Sequence, residues 1–191
     1  MIVPEQGCVR QRGFTLVELM IAMVIGLIIV LGSSQIFSAN RQSFDRVEQL
    51  NDRQEKLRFL VDAVSLDVRT ADSSMEILNA GSKLTLHYSG NRTSDPYCSG
   101  GVLEKLDYVF NVETSTLSLT SYCIGVSPVE EPLISDLDLV RFSEGVINGI
   151  LTFVDVTVHF PAFDSEASAG REVTFRAANR SAVIARINAD N

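Results

Sequence analysis

The longest apolar stretch of this 191-residue chain runs from Phe14 to Gly32. It has 19 residues, close to the ~20 that a helix needs to cross the hydrocarbon core of a bilayer. Glu18 is its only charged residue. A lone carboxylate in a membrane helix costs roughly 2.5–3.5 kcal/mol on insertion scales. The pattern therefore predicts a membrane-spanning helix in which Glu18 is a candidate functional residue.

The helical pattern continues beyond the apolar stretch. From Gln35 onward the composition is polar, but apolar residues recur at the three-, four- and seven-residue steps of an amphipathic helix: Phe37, Phe44, Val47, Leu50, Leu57, Leu60, Val61, Val64 and Val68. No proline occurs between Pro4 and Pro96. We therefore expect one helix from Phe14 to about Thr70, followed by a different kind of structure.

After Asp72 the apolar period changes from 3.6 to 2, which indicates half-buried strands of an antiparallel sheet. The strand patterns cover residues 83–88, 106–112, 116–120, part of 133–142, 151–160 and 172–176. Residues 111–115 are typical of a hairpin turn, and 89–101 and 162–170 of loops. The predicted fold class is α+β. A long N-terminal helix over residues 14–72, membrane-spanning in its first half and amphipathic in its second, packs on a C-terminal antiparallel β-sheet head over 73–191.

The start of the apolar stretch resembles the type IV prepilin signature. That signature is a glycine, then Phe or Met, then a hydrophobic stretch with glutamate four residues after the Phe; Gly13, Phe14 and Glu18 match it. The resemblance implies that residues 1–13 are a leader peptide, that a membrane prepilin peptidase cleaves after Gly13 and N-methylates Phe14, and that Glu18 neutralises the terminal amine of a neighbouring subunit. The fold it implies is pilin-like.

The residues agree with that role for Glu18. A buried carboxylate needs a partner, and no Lys or Arg lies between Phe14 and Asn40. The candidate partner is therefore an amino terminus, on this chain or on a neighbour. A secretory signal peptide or a plain membrane anchor is the competing interpretation. A signal peptide has an apolar core of only 7–15 residues that ends in a small-residue cleavage site, whereas this apolar run is longer and no Ala-x-Ala site follows it. Arg10 and Arg12 precede the span and favour a cytoplasmic N-terminus.

Three segments of the predicted helix, residues 35–44, 57–62 and 66–69, resemble the PilW family of minor type IV pilins. Many major pilins carry a proline part-way along this helix, and this chain has none. The implied role is to prime or promote pilus assembly at the inner membrane, with a place near the filament tip and a head in the periplasm and then outside the cell. The implied partners are other minor and major pilins, the prepilin peptidase, the inner-membrane assembly platform and membrane lipid. The alternatives are a minor pseudopilin of type II secretion and a membrane-tethered tip adhesin.

The cysteines suggest a cross-link. Cys8 lies in the predicted leader, which leaves Cys98 and Cys123 in the mature chain. An even pair in an exported domain predicts a disulfide, and two unpaired thiols are the alternative. A metal site is less favoured, because His87 and His159 lie on strand patterns with no ligand spacing around them.

Charge and motifs exclude several other functions. The net charge is −8, and removing residues 1–13 with Glu5, Arg10 and Arg12 makes it −9, which disfavours direct binding of nucleic acid. The acidic cluster Glu130, Glu131, Asp136 and Asp138 lacks a calcium-loop pattern, so a solvated face is the preferred interpretation. No catalytic or phosphate-binding motif occurs. The sequence therefore predicts neither an enzyme nor a cofactor.

Overall fold

A computed structural model describes residues 13–72, 74–89, 96–99, 101–147, 150–162 and 172–189. The predicted leader residues Cys8, Arg10 and Arg12, and most of the two predicted loops, lie outside these ranges. The chain divides into two compact units, residues 1–48 and 49–191. The division falls within one helix, α1, which spans Leu16–Thr70.

In the first unit, every described side chain of α1 is exposed. The exposed set includes the large apolar side chains from Leu16 (76% exposed) to Leu31 (56%), and Phe14, just before the helix, is 85% exposed. Exposing this much contiguous apolar surface to water is unfavourable. Among the described residues, α1 is the one helix that is long and apolar enough to cross a membrane. The first part of α1 is therefore suited to lipid or to other apolar helices.

In the second unit, the C-terminal part of α1 forms one layer of the core. Leu60, Val64 and Val68 are at most 1% exposed, and Leu57 packs against the same core. The expected amphipathic face is confirmed here, because these residues recur at three- and four-residue steps. Phe59 and Leu66 lie on the other face and are about half exposed.

The head has two antiparallel sheets where the sequence predicted one. The first sheet has the order β1-β2-β3-β4-β5, with β1 Met75–Leu78, β2 Lys83–His87, β3 Leu103–Asn111, β4 Thr116–Cys123 and β5 Val129–Ile134. The second has the order β6-β7-β8, with β6 Leu139–Ile147, β7 Ile150–His159 and β8 Glu172–Ala178. Both contribute to a single hydrophobic core. The α+β class with α1 against antiparallel strands is confirmed.

Several element predictions were incomplete. The pattern over 133–142 belongs to the end of β5 and the start of β6, because the chain leaves one sheet and enters the other between Ile134 and Leu139. The short strand β1 and the C-terminal helix α2, Arg180–Ala189, were not predicted. Each is too short for its period to stand out. The hairpin turn after Asn111 is confirmed, and the Asn111 side chain accepts a hydrogen bond from the N–H of Glu113 at 2.9 Å.

Gly81 connects β1 to β2 in a place that requires glycine. Its φ is +92°, a backbone conformation that residues with a side chain rarely adopt. An added Cβ would lie 2.7 Å from the carbonyl oxygen of Phe142 in β6. Gly81 thus allows the turn of the first sheet to approach the second sheet closely.

Candidate functional site

The N-terminus of α1 is the candidate site, and Thr15 and Glu18 form a reciprocal cap there. The Thr15 hydroxyl oxygen accepts the Glu18 N–H at 3.3 Å. Glu18 Oε2 in turn lies 3.4 Å from the backbone nitrogen of Thr15 and 3.3 Å from its hydroxyl oxygen. This is the Thr-x-x-Glu capping box, which satisfies donors at a helix N-terminus that have no partner within the helix.

The capping box changes the interpretation of Glu18. The first turn of a helix carries partial positive charge, which stabilises a nearby carboxylate. Glu18 therefore has local partners at the point where the chain enters the apolar stretch. The two hydrogen bonds that the Glu18 carboxylate accepts from Thr15 both end on Oε2. Its other oxygen, Oε1, accepts no hydrogen bond from the residues that the structure describes. One carboxylate oxygen thus remains available to a further donor.

The predicted cleavage point lies just before this cap. Gly13 and Phe14 precede the helix in non-helical conformation, and both are exposed. An added Cβ on Gly13 would meet no atom of the described residues within 4 Å. Sequence reasoning identified Gly13, Phe14 and Glu18 but not Thr15. The Thr15-x-x-Glu18 spacing was a readable signal for it.

The structure joins Cys98 and Cys123 in a disulfide, with 5.8 Å between their Cα atoms. This confirms the predicted cross-link. Cys123 is the last residue of β4, and Cys98 is 3% exposed. The bond attaches the segment before β3 to the end of β4.

A buried carboxylate close to the end of α1 was missed from the sequence. Asp67 is 1% exposed. The hydroxyls of Tyr108 and Tyr97 donate to its Oδ2 at 2.6 and 2.9 Å, and the Tyr88 hydroxyl donates to its backbone carbonyl at 3.0 Å. Burial and the negative charge of Asp67 raise the pKa of Tyr108 far above its usual range, so this hydroxyl remains a donor at neutral pH.

Asn179, which follows β8 of the second sheet, also holds the end of α1. It is fully buried. Its amide nitrogen lies 2.9, 3.0 and 2.9 Å from the carbonyl oxygens of Val68, Ala71 and Asp72. Its side-chain oxygen accepts the N–H of Ala182 at 2.6 Å and so caps the N-terminus of α2.

A second buried carboxylate, Asp107, lies on β3 of the first sheet. Asp107 is 1% exposed. Its contacts are Lys83 Nζ at 2.9 Å, Lys105 Nζ at 3.3 Å and the Thr85 hydroxyl at 2.8 Å. Burial by itself would raise the pKa of Asp107, but the bonds from Lys83 and Thr85 and the positive charges outweigh it and hold the pKa below its usual value. The network is cross-strand and holds β2 to β3.

The remaining candidates do not assemble into a reactive site. His87 and His159 each lie near one glutamate on the adjacent strand, at 3.9 and 3.6 Å. Among the described residues, no three His, Cys, Asp or Glu side chains are grouped to hold a metal. The acidic cluster is exposed at all four positions: Glu130, Glu131, Asp136 and Asp138. A cavity of about 220 Å³ beside α1 holds Lys56, which is paired with Asp52 at 2.9 Å.

Residues 8–34 match the family model described as the prokaryotic N-terminal methylation motif. The match contains Gly13, Phe14, the capping box and the apolar stretch. No curated protein and no solved structure matches the chain. The motif supports a type IV pilin-like protein, either a pilin or a pseudopilin. Together with the apolar start of α1, it is consistent with anchoring in a membrane and with a place in a pilus-like filament.

Proposed function

We propose that this protein is a minor type IV pilin, similar to the PilW family, that primes or promotes pilus assembly at the inner membrane and enters the filament near its tip. The N-terminal methylation motif supports the filament superfamily. The absence of proline from Leu16 to Thr70 supports the minor class, because many major pilins have a helix-loosening proline there.

The observation that carries the proposal is the position of Glu18. It lies at the third residue of α1, next to the predicted new amino terminus at Phe14. The surrounding side chains are apolar and exposed. In apolar surroundings, an ammonium group gains far more from a carboxylate than it would in water. Glu18 is therefore suited to receive the methylated amine of an adjacent subunit through Oε1.

The capping box makes a sharp test possible, because glutamine can replace glutamate in it. Glu18→Gln keeps the cap but removes the charge, whereas Glu18→Val removes both. If the charge receives an amine, both variants should reach the membrane at wild-type level or above, since a buried charge has been removed. Both should be cleaved after Gly13 and both should be absent from sheared filaments.

Glu48→Gln is the matched control, because it removes a carboxylate from the same helix beyond the apolar stretch. It should enter filaments normally. Membrane level, leader cleavage and filament content are measured by immunoblot of membranes and of sheared filaments. Normal filament content of Glu18→Gln would show that Glu18 acts only as a cap, and would contradict the proposed assembly role.

A minor pseudopilin of type II secretion is the second candidate, and the same methylation motif favours it. Deletion of the gene separates the two. Loss of surface pili with normal export of secreted enzymes supports the minor pilin. Normal piliation with loss of export supports the pseudopilin. The same partners serve in either case: a prepilin peptidase, related subunits that contact α1, and an inner-membrane assembly platform.

A further inference from the structure

The C-terminal turn of α1 is held by polar groups from distant parts of the head. Tyr97 and Tyr108 donate to the Asp67 carboxylate, and Asn179 donates to carbonyls at the helix end. A hydrogen bond to a charged acceptor stabilises a fold more than a hydrogen bond between neutral groups does. These contacts therefore have a large share in fixing this end of α1 to the sheets.

The two tyrosines reach Asp67 by different routes. Tyr108 lies within β3, between β2 and β4, so its position is set by sheet pairing on both sides. Tyr97 lies outside the strands, in a turn that contains Cys98. Cys98 is the next residue along the chain and is covalently joined to Cys123 at the end of β4. The disulfide thus fixes the backbone of Tyr97 beside the end of β4, where the Tyr97 carbonyl oxygen lies 3.6 Å from Cys123 Sγ, although Tyr97 itself lies in a turn and not in a strand.

We propose that the Cys98–Cys123 disulfide is a positioning device for Tyr97, so that full docking of the end of α1 on the head depends on oxidation. The bond forms after export by exchange with a disulfide-bearing oxidant. Two thiols become one disulfide, and the oxidant takes up the two electrons and two protons as its own thiols. Before oxidation, Tyr108 and Asn179 still hold the helix end, but Tyr97 does not contribute its bond to Asp67.

The proposal predicts that the effect of removing the Tyr97 hydroxyl depends on the state of the disulfide. In the oxidised full-length protein in detergent, Tyr97→Phe should lower the equilibrium constant for folding roughly tenfold, the size expected for a hydrogen bond to a charged acceptor. In protein kept reduced by a dithiol, Tyr97→Phe should change the equilibrium constant for folding less than about twofold, because the hydrogen bond from Tyr97 to Asp67 is already lost.

Two matched controls accompany this variant. Tyr108→Phe removes the other hydroxyl that donates to Asp67 Oδ2, but Tyr108 is held in place by the sheet. This substitution should therefore lower the equilibrium constant for folding by the same factor in the oxidised and the reduced protein. Tyr122→Phe removes the hydroxyl of the residue next to Cys123 but keeps the ring, whose centroid lies 3.8 Å from Lys105 Nζ. This substitution should therefore have little effect on folding in either state. Denaturant unfolding of each protein with and without the dithiol gives the comparison.

A second measurement covers the case in which the reduced protein does not refold. Folded protein is reduced in place, and hydrogen exchange of the peptide spanning residues 60–72 is followed. Reduction should speed exchange there in wild type by a larger factor than in Tyr97→Phe. The proposal is overturned if Tyr97→Phe lowers folding stability equally in the oxidised and the reduced protein, or if it lowers stability in neither. Loss of the Tyr108→Phe effect on reduction also overturns it, because the disulfide would then act on the whole head.

Discussion

The amide nitrogen of Asn179 lies 2.9 Å from the carbonyl oxygen of Val68, 111 residues earlier in the chain. The last carbonyls of a helix have no partner within it. The side-chain amide of Asn179 supplies a donor to these carbonyls at the end of α1, while its oxygen accepts the Ala182 N–H and caps the start of α2. A single buried side chain therefore serves two helix ends that come from opposite ends of the head sequence.

Asn179→Ala should destabilise the head by about 2–4 kcal/mol, because it removes a helix cap and leaves buried carbonyls without a partner. Thermal or denaturant unfolding in detergent measures the loss. Asn51→Ala is the control, since Asn51 is exposed on the same helix α1. That variant should be within about 0.5 kcal/mol of wild type. Equal effects of the two changes would show that Asn179 does not hold the helix end.

Replacing Gly13 with leucine should abolish removal of residues 1–13. The described residues leave room for a side chain at this position, so we expect a block to arise in the active site of the peptidase. Mass spectrometry should find N-methylated Phe14 in the wild-type protein and an intact leader in Gly13→Leu. Gly26→Leu, which also meets no neighbour within the chain, should be processed normally. Unmethylated, uncleaved wild-type protein in a strain with active peptidase would refute the processing site.

Acid should weaken the head through Asp107. Its pKa in the folded state is held below the ordinary value of 3.8, so its carboxylate stabilises the fold above about pH 4. That contribution is lost as the pH falls through the lowered pKa. Asp107→Asn should therefore be less stable than wild type at pH 7 and should lose less stability on acidification. Unfolding free energies at several pH values test this, and parallel curves for the two proteins would contradict it.

Replacing both Cys98 and Cys123 with serine should lower the stability of the head by about 3 kcal/mol, the chain-entropy estimate for a loop of this length. Leader cleavage should be unchanged, because the cleavage point lies in the other compact unit. Peptide mapping without reductant should recover the two cysteines in one cross-linked peptide. Alkylation of both thiols in unreduced wild-type protein would exclude the bond.

Local patterns in the sequence were sufficient for the helix, for most strands and for the candidate site at Glu18. Helix and strand periods depend on which residues alternate along one element, so α1, β2 and β7 could be predicted to within two residues at each end. The predictions for β3 and β4 each missed three residues at one end. The site at Gly13, Phe14 and Glu18 is likewise contiguous, and so is the Thr15 cap that completes it. The disulfide followed from an even pair of cysteines in a domain expected to be exported.

Only the tertiary structure revealed that the head has two sheets and that its buried polar groups meet. The passage from β5 to β6 was missed because β5 has no alternation that would mark its bounds: its first four residues are all exposed, whereas β6 alternates in part. Asp67, Tyr97, Tyr108 and Asn179 are far apart in sequence and ordinary in type. Their hydrogen bonds depend on long-range packing of α1 against the strands, which local propensity does not encode. The sequence by itself thus predicted which segment is apolar enough to span a membrane and where the chain is cleaved, whereas the fold decided how the end of α1 is held on the head.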